Sequence, residues 1–395
     1  MYSRCRPATF SAVLFLACAS LAVAQAPAPA TVASDPLDAV RARFAPDRRL
    51  TVFDLTVEPQ DAGISVRGEV ESPAARDAAL EALRKGGQAE VTDRIAVLPD
   101  PSLGGMVHGI VRVSVANVRA TPAHGAEMVT QTVMGWTVRV LKSESGWHLV
   151  HTDPDGYLGW VEDLQITRMT AETRQLWEAA PRLIVTAPYA VVHDAPNPGG
   201  EQVADLVIGA LVKTAGPGGA WVPVELPDGR RGFVRGDEVE DYTVWKASRT
   251  ATAASVERVA RQFMGVPYLW GGTSSKGFDC SGFAKTVFRL HGIELPRDAD
   301  QQAREGTDVS IEDGLGRLKR ADLLFFGTAA RGEQPERITH VAIHIGNLAF
   351  IHASGLVRVN SLDPVSPIYS ESLRNRLLRV RRLLPETGPP TSGGR

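Results

Sequence analysis

The chain has 395 residues, of which 44% are hydrophobic and 22% are charged. This length predicts two to four domains, and the composition is ordinary for a soluble globular protein. A formal net charge of −2 supplies no basic field for nucleic acid, so a nucleic-acid partner is not expected.

The first 24 residues have the pattern of an export signal. Arg4 and Arg6 precede an apolar run over residues 10–23, which is too short to rest across a bilayer, and residues 22–24 form a small-x-small cleavage site. We expect residues 1–24 to be removed, residues 25–34 to be a linker, and the protein to be periplasmic or secreted, with no membrane span. The alternative is lipoprotein processing that leaves a lipidated Cys18.

The cysteine count singles out one thiol. Cys5 and Cys18 lie in the signal segment, so Cys280 is the only cysteine after it. Exported proteins meet an oxidising compartment where cysteines usually pair. A lone cysteine there is either an inert buried side chain or a reactive thiol, and its neighbours must decide between the two.

Residues 35–100 predict a small α+β module with the order helix, strand, strand, helix, strand. Residues 50–57 and 64–70 alternate apolar and polar side chains, as strands do. Ser72 and Pro73 then open an amphipathic helix, as an N-cap followed by proline at the first helical position. The pattern resembles a BON-type envelope module, and we assign it no chemistry.

An internal repeat follows in residues 105–241. Gly135 and Trp147 recur as Gly209 and Trp221 at the same offset, and turn dipeptides break each half into short apolar segments. Residues 105–170 and 182–241 resemble tandem bacterial Src-homology-3-like domains, which implies two small β-barrels. Residues 242–252 are expected to be a polar linker.

A glycine-rich loop leads into the segment that carries Cys280. Gly271, Gly272 and Gly277 predict a tight loop, and an apolar helical pattern begins after Asp279. Cys280 is therefore expected at a helix N-terminus, where the partial positive charge favours a thiolate. Free backbone N–H groups in the same turn can stabilise a developing oxyanion.

Two histidines lie on alternating segments that predict a hairpin, residues 339–346 and 350–354. The hairpin would bring His340, as the base for the thiol, next to His352, which would orient the imidazole ring. His344 shares a strand face with His340 and is a rival base, although we interpret it as structural. A zinc site built from the thiol and both histidines is possible in ligand type, but no zinc-binding spacing supports it.

Six short motifs in residues 253–384 resemble the NlpC-type cell-wall cysteine peptidases, a papain-like family. They are residues 267–272, 278–283, 295–298, 321–326, 340–346 and 351–353. The resemblance implies an α+β papain-like domain with Cys280, His340 and His352 as the triad. Tyr268 would lend its hydroxyl to the oxyanion, without a cofactor or a metal. Residues 385–395 are expected to be a disordered tail.

Two barrels ahead of such a domain resemble a narrower group, the dipeptidyl-peptidase VI-like enzymes. That resemblance implies hydrolysis of the γ-D-glutamyl–L-diamino acid bond in peptidoglycan stem peptides that carry a free N-terminal L-alanine. Glu127 and Tyr157 would hold the substrate amine. The second repeat has Arg230 opposite Tyr157, which favours a specific role for the tyrosine. The same resemblance assigns further pocket residues: Asp279, Ser281 and Asp298.

The overall expectation is a monomer that acts on stem peptides or muropeptides. One alternative is a wall-binding protein with a degenerate catalytic domain. A second alternative is an amidase or acyltransferase that uses the same thiol scaffold.

Overall fold

The structure is a computed structural model that describes residues 35–87 and 90–385. The predicted signal segment, all of the predicted linker after it and almost all of the predicted tail lie outside the described residues. Within the described part of the chain, no helix combines the length and the apolar character needed to cross a membrane.

The N-terminal module, residues 38–97, has the predicted element order. Its elements are α1 (Asp38–Phe44), β1 (Phe53–Gln60), β2 (Gly63–Val70), α2 (Pro73–Lys85) and β3 (Val91–Val97). β1 pairs antiparallel with β2, and β2 pairs parallel with β3. Ser72 caps α2 by accepting the Ala75 N–H at 3.1 Å, as the sequence predicts. The resemblance to a BON-type module stays a prediction.

Two seven-stranded sheets follow, and we call them the first and second β-modules. The first contains β4 (His108–Val111), β5 (Val115–Arg119), β6 (Met128–Val133), β7 (Thr137–Glu144), β8 (Trp147–Thr152), β9 (Leu158–Glu162) and β10 (Ile166–Met169). The second follows the short helix α3 (Ala171–Ala179) and contains β11 (Arg182–Val185), β12 (Tyr189–His193), β13 (Gln202–Val207), β14 (Leu211–Thr214), β15 (Trp221–Glu225), β16 (Arg231–Arg235) and β17 (Val239–Asp241).

The two β-modules share one topology, which confirms the internal repeat. The first sheet has the order β10-β4-β7-β8-β9-β5-β6, and the second has β17-β11-β14-β15-β16-β12-β13. Each strand of the first module therefore corresponds to the strand seven numbers later. Each module has an apolar core, and the core of the second module also includes Val133 and Met134 of the first.

The prediction of a polar linker over residues 242–252 is wrong in part. The structure has a helix, α4 (Tyr242–Ser248), which Asp241 caps by accepting the Val244 N–H at 2.9 Å. Tyr242 and Trp245 stack on each other and pack beside the apolar cluster between the β-modules. The aromatic residues make this segment a packed helix rather than a free connection.

The C-terminal domain, residues 253–382, packs helices against a six-stranded sheet. Its elements are α5 (Ala253–Gln262), β18 (Thr273–Ser274), β19 (Gly277–Phe278), α6 (Cys280–Arg289), α7 (Ala299–Gln302), β20 (Thr307–Asp308), β21 (Leu323–Thr328), β22 (Arg337–Gly346), β23 (Ala349–Ser354), β24 (Leu356–Ser361), α8 (Glu371–Arg374) and β25 (Leu377–Arg382). The sheet order is β20-β25-β21-β22-β23-β24, and α6 packs on β22 and β23. The predicted hairpin is β22–β23.

The modules contact one another through specific polar and apolar groups. Val52 and Leu98 of the N-terminal module join an apolar cluster with Trp147 and Trp160 of the first β-module. The Gln131 side-chain oxygen accepts the Thr273 N–H at 3.0 Å, which ties the first β-module to the loop before α6. These contacts place parts of three modules around one cleft.

Candidate active site

Cys280 is the first residue of α6 and is nearly buried. Asp279 caps the helix by accepting the Gly282 N–H at 2.7 Å. The tight approach of this turn requires glycine, because a Cβ at Gly282 would stand 2.0 Å from the Gly272 carbonyl oxygen. The sequence prediction that Cys280 begins a helix is confirmed.

Burial of the sulfur opposes the helix-stabilised thiolate that the sequence predicts. Burial raises the pKa of the Cys280 thiol to about 12, and the adjacent Asp279 carboxylate adds to the rise. The amides of Val341 and Ser281 and the Arg297 guanidinium lower that pKa without offsetting burial. At neutral pH the resting side chain is therefore a thiol, and a base must remove its proton.

The two predicted triad histidines are in contact across the β22–β23 hairpin. His340 Nε2 lies 2.7 Å from His352 Nδ1, and His352 Nε2 lies 3.0 Å from Asn360 Oδ1 on β24. Burial lowers the pKa of His340 to about 3 and that of His352 to about 4, so both rings are neutral at neutral pH. The Val341 amide that faces the sulfur belongs to the residue after His340.

The hydrogen bonds fix which nitrogen is available as the base. The Asn360 Nδ2 donates to the Ile368 carbonyl at 3.1 Å, so the amide oxygen faces His352 and must accept from its Nε2–H. Neutral His352 then accepts at Nδ1 from the Nε2–H of His340. This assignment leaves the Nδ1 lone pair of His340 free to take the thiol proton. Sequence reasoning missed Asn360, because the pairing of β24 with β23 had no signal in the chain.

His344 does not lie in this proton chain. Its Nδ1 is 2.8 Å from the Lys319 carbonyl oxygen, and the side chain is buried. This contact is consistent with the structural role expected from the sequence.

Tyr268 lies beside the thiol on the cleft wall. Burial raises the pKa of its phenol to about 12, and the negative charge of an ionised Cys280 adds to this rise. The Cys280 N–H is at the first helical position, where a helix offers it no partner. The phenol and this amide are thus two donors beside the sulfur.

A buried arginine organises the turn before Cys280. Arg297 is only 2% exposed and donates to both oxygens of Asp279, to Ser281 Oγ at 2.9 Å and to Thr130 Oγ1 at 3.1 Å. Thr130 belongs to the first β-module. Sequence reasoning quoted Arg297 within a motif but gave it no role, although a charge at a buried position needs partners.

Asp279 and Ser281 line the cleft, but their side-chain oxygens make hydrogen bonds within the protein. Asp279 accepts hydrogen bonds from Gly271, Ser281, Gly282 and Arg297. These contacts hold the thiol-bearing turn in position. Direct contact of Asp279 and Ser281 with substrate stays a prediction.

The remaining predicted site residues, Glu127, Tyr157 and Asp298, also line the cleft. Tyr157, which is 6% exposed, donates its hydroxyl to Asp298 Oδ2 at 2.9 Å. Glu127 is exposed and accepts the Trp270 indole N–H at 2.8 Å. Trp270 is itself 61% exposed and lines the cleft.

The cleft has a volume of about 610 Å³, and residues from three modules line it. The lining includes the thiol and Tyr268 together with Glu127, Tyr157 and Asp298, and we call the part around the paired Tyr157 and Asp298 the acidic end. The N-terminal module adds Arg49, which sequence reasoning also missed. A buried cysteine at a helix start, beside a strand that contributes the Val341 amide to the sulfur and carries His340 of the histidine pair, defines a thiol-peptidase type of site.

Comparisons with known proteins agree with this class. The NlpC/P60 family matches residues 265–382, and the bacterial dipeptidyl-peptidase Sh3 domain matches residues 118–166. The chain is 30% identical over 267 residues to gamma-D-glutamyl-L-lysine dipeptidyl-peptidase of Bacillus cereus, which covers 66% of this chain and 76% of the relative. It is 27% identical to dipeptidyl-peptidase 6 of Lysinibacillus sphaericus, over 70% of this chain and 100% of the relative.

A solved structure shows the same architecture. An NlpC/P60 family protein from Bacillus cereus superposes with a TM-score of 0.60 at 25% identity, over 70% of this chain and 100% of that chain. The chain belongs to the NlpC/P60 family and is a cysteine peptidase, with an Sh3-type domain ahead of its papain-like C-terminal domain.

Proposed function

We propose that this protein hydrolyses the γ-D-glutamyl–L-diamino acid bond of peptidoglycan stem peptides that begin with a free L-alanine. The observation that carries the proposal is the acidic end of the cleft, where Tyr157 pairs with Asp298, together with Glu127 in the lining of the same cleft. An ammonium group is the natural ligand of two carboxylates and a phenol oxygen. The name of the Bacillus cereus relative, gamma-D-glutamyl-L-lysine dipeptidyl-peptidase, supports the same bond.

The proposed chemistry follows from the neutral thiol and imidazole. His340 Nδ1 takes the thiol proton while the Cys280 sulfur attacks the γ-carbonyl carbon, and Tyr268 and the Cys280 amide stabilise the oxyanion. The proton then passes from the imidazole to the departing diamino-acid nitrogen as the amide bond breaks. Water, with His340 again as base, releases the L-Ala-γ-D-Glu product and restores the thiol.

The acidic end of the cleft would bind the substrate amine, so we also call it the amine end. It therefore determines which peptides can react. A pocket that pairs an ammonium with carboxylates disfavours acylated peptides, because an acylated nitrogen carries no positive charge to pair with them. Stems still joined to glycan through the alanine nitrogen should therefore fail, and released peptides should be cut.

The test compares free and N-acetylated L-Ala-γ-D-Glu-diamino acid tripeptides. We expect the wild-type protein to release L-Ala-γ-D-Glu from the free peptide with at least about 100-fold higher kcat/KM, within the range for such polar discrimination. Cys280→Ala should abolish product while retaining the melting temperature. Equal rates on both peptides would show that the amine is not recognised. Full turnover by Cys280→Ala would exclude the thiol mechanism.

We further propose export, supported by the pattern of residues 1–24. The protein isolated from its native host should begin at Gln25, as measured by intact mass and N-terminal sequencing. A lipid-modified Cys18 at the N-terminus would instead establish the lipoprotein alternative, and an intact Met1 would contradict both.

A further inference from the structure

Arg49 of the N-terminal module stands at the acidic end of the cleft. It lies in the connection between α1 and β1, and its carbonyl oxygen accepts the Leu158 N–H at 2.8 Å. Leu158 directly follows Tyr157, so the Arg49 backbone runs beside the tyrosine. The Arg49 Nη1 donates to Asp298 Oδ2 at 2.8 Å, the same oxygen that accepts the Tyr157 hydroxyl.

The guanidinium is fully committed to carboxylates. Its Nε and Nη2 donate to Asp47, and Nη1 and Nη2 donate to Asp300 at 2.8 and 3.0 Å. Asp47 also accepts the Gln301 Nε2 at 2.8 Å, which fixes the segment to α7. A guanidinium with all its donors engaged is a rigid group and has no donor left for a substrate carboxylate.

Three carboxylates share the Arg49 guanidinium. Asp47, Asp298 and Asp300 all pair with it, and the charges of Arg297 and Arg304 also act on Asp298 and Asp300. The Arg49 hydrogen bonds hold the pKa of Asp47 well below its usual value. Burial raises the pKa of Asp300, but the contacts with Arg49 outweigh it and lower that pKa overall. Asp47 and Asp300 therefore stay ionised at neutral pH and hold the guanidinium in place.

A second cavity of about 640 Å³ lies on the other side of Arg49. Its lining consists of residues 46–50 of the N-terminal module and Pro296, Gln301, Arg304 and Glu305 of the C-terminal domain. Of the residues that line this cavity, Arg49 and Arg304 also line the active-site cleft. The Arg49 side chain thus stands between two spaces of similar size.

We propose that Arg49 is the partition that closes the amine end of the cleft, so that the N-terminal module determines substrate selectivity. The inference rests on the proposed function. A substituent on the alanine nitrogen has to extend past Tyr157 and Asp298, where the guanidinium stands. Arg49 is a positioning residue, because it acts through Asp298 and through the space that it fills.

The experiment measures kcat/KM for free and N-acetylated tripeptides with Arg49→Ala. We expect the preference for the free peptide to fall at least about tenfold, mainly because KM for the acetylated peptide decreases. Arg49→Met, which keeps most of the volume, should retain more of the preference. Arg48→Ala is the matched control, because the neighbouring Arg48 is exposed and lines only the second cavity.

The outcomes separate this inference from the proposed function. An unchanged preference in folded Arg49→Ala overturns the partition and leaves the proposed function intact. A wild-type protein that cleaves neither peptide overturns the proposed function. In that case a crystal structure of Arg49→Ala still tests the inference, because two cavities that stay separate contradict it. If Arg49→Ala does not fold, a triple variant is measured instead. It combines Arg49→Ala with Asp47→Asn and Asp300→Asn, which removes the repulsion among the carboxylates.

Discussion

At the scale of single residues, the proton chain from Asn360 through His352 to His340 sets the reactive state of the site. Asn360 can offer His352 only an acceptor oxygen, because its nitrogen is held by the Ile368 carbonyl. This series of hydrogen bonds therefore selects one tautomer of each histidine ring. A neutral base beside a neutral thiol needs this selection, since the opposite tautomer of His340 presents a proton to the sulfur.

Asn360→Ala should lower kcat by about 10–100-fold with little change in KM, in line with losses of outer hydrogen-bond partners elsewhere. Asn360→Asp should retain the acceptor and raise the pKa of His352 through its charge. A protonated His340–His352 pair cannot accept the thiol proton, so the acid limb of kcat/KM should move to higher pH in Asn360→Asp. The pH–rate profiles of both variants check this, with exposed Asn375→Ala as the control.

The wild-type profile supplies the reference for that shift. Since burial lowers the pKa of His340 to about 3 and that of His352 to about 4, the wild-type acid limb should lie below about pH 5. A wild-type midpoint near 6.5, the ordinary histidine value, would contradict the neutral buried pair. An Asn360→Ala variant with normal kcat would contradict the tautomer argument.

At the scale of elements, local patterns predicted what local forces determine. Ser72 and Asp279 were identified as helix starts, and the β22–β23 hairpin was predicted, because capping and alternation are short-range signals. The predicted strand 50–57 is observed as Phe53–Gln60, a shift of a few residues at each end. The positive φ angles of Asn347 and Leu348 form the turn that brings the two histidine strands together.

Contacts between modules escaped prediction, because no local pattern records them. Arg49 and Asp298 are 249 positions apart, and nothing near either residue indicates the other. Lys285 of α6 likewise pairs with Asp155 of the first β-module at 3.1 Å, with both side chains almost fully buried. This ion pair lies two residues before Tyr157, so it fixes the amine end of the cleft relative to the thiol helix. The family resemblance supplied Tyr157 and Glu127, whereas physical reasoning on the sequence alone did not.

At the scale of the whole molecule, the N-terminal module is attached to the rest by charged groups that can titrate. Glu71 at the end of β2 lies 3.0 Å from His151 Nε2 of the first β-module, and both side chains are largely buried. Arg139 is 3.8 Å from the same carboxylate, and the Gly156 carbonyl oxygen lies 2.7 Å from His151 Nδ1. Because Gly156, in the turn between β8 and β9, directly precedes Tyr157, this junction and the Arg49 partition belong to one interface.

The directions in which the pKa values of Glu71 and His151 shift predict the pH range in which their pair stabilises the interface most. Burial alone opposes both ionised forms, but the pair with Glu71 raises the pKa of His151, and the contacts of Glu71 lower its own pKa. A raised histidine pKa gives stability that is present at low pH and is lost as pH rises through the folded value. A lowered carboxylate pKa gives stability that is lost as pH falls through the folded value. The pair should therefore stabilise the interface most between about pH 5 and pH 6.5, which are near the ordinary values for the two groups.

His151→Gln should destabilise the protein by about 1.5–3 kcal/mol near pH 6, the range for hydrogen bonds to charged groups, and by clearly less above pH 8. The measurement is the denaturation midpoint across pH, with amide exchange in β1–β3 as a local report on attachment of the N-terminal module. His148→Gln is the matched control, because His148 pairs with Asp163 at 2.8 Å inside the first β-module. It should not change exchange in β1–β3.

A stability difference that is constant across pH, or that grows above pH 8, would show that the Glu71–His151 pair does not carry the attachment. The same loss of attachment should weaken the Arg49 partition, so His151→Gln should also cleave the N-acetylated tripeptide faster than the wild-type protein does.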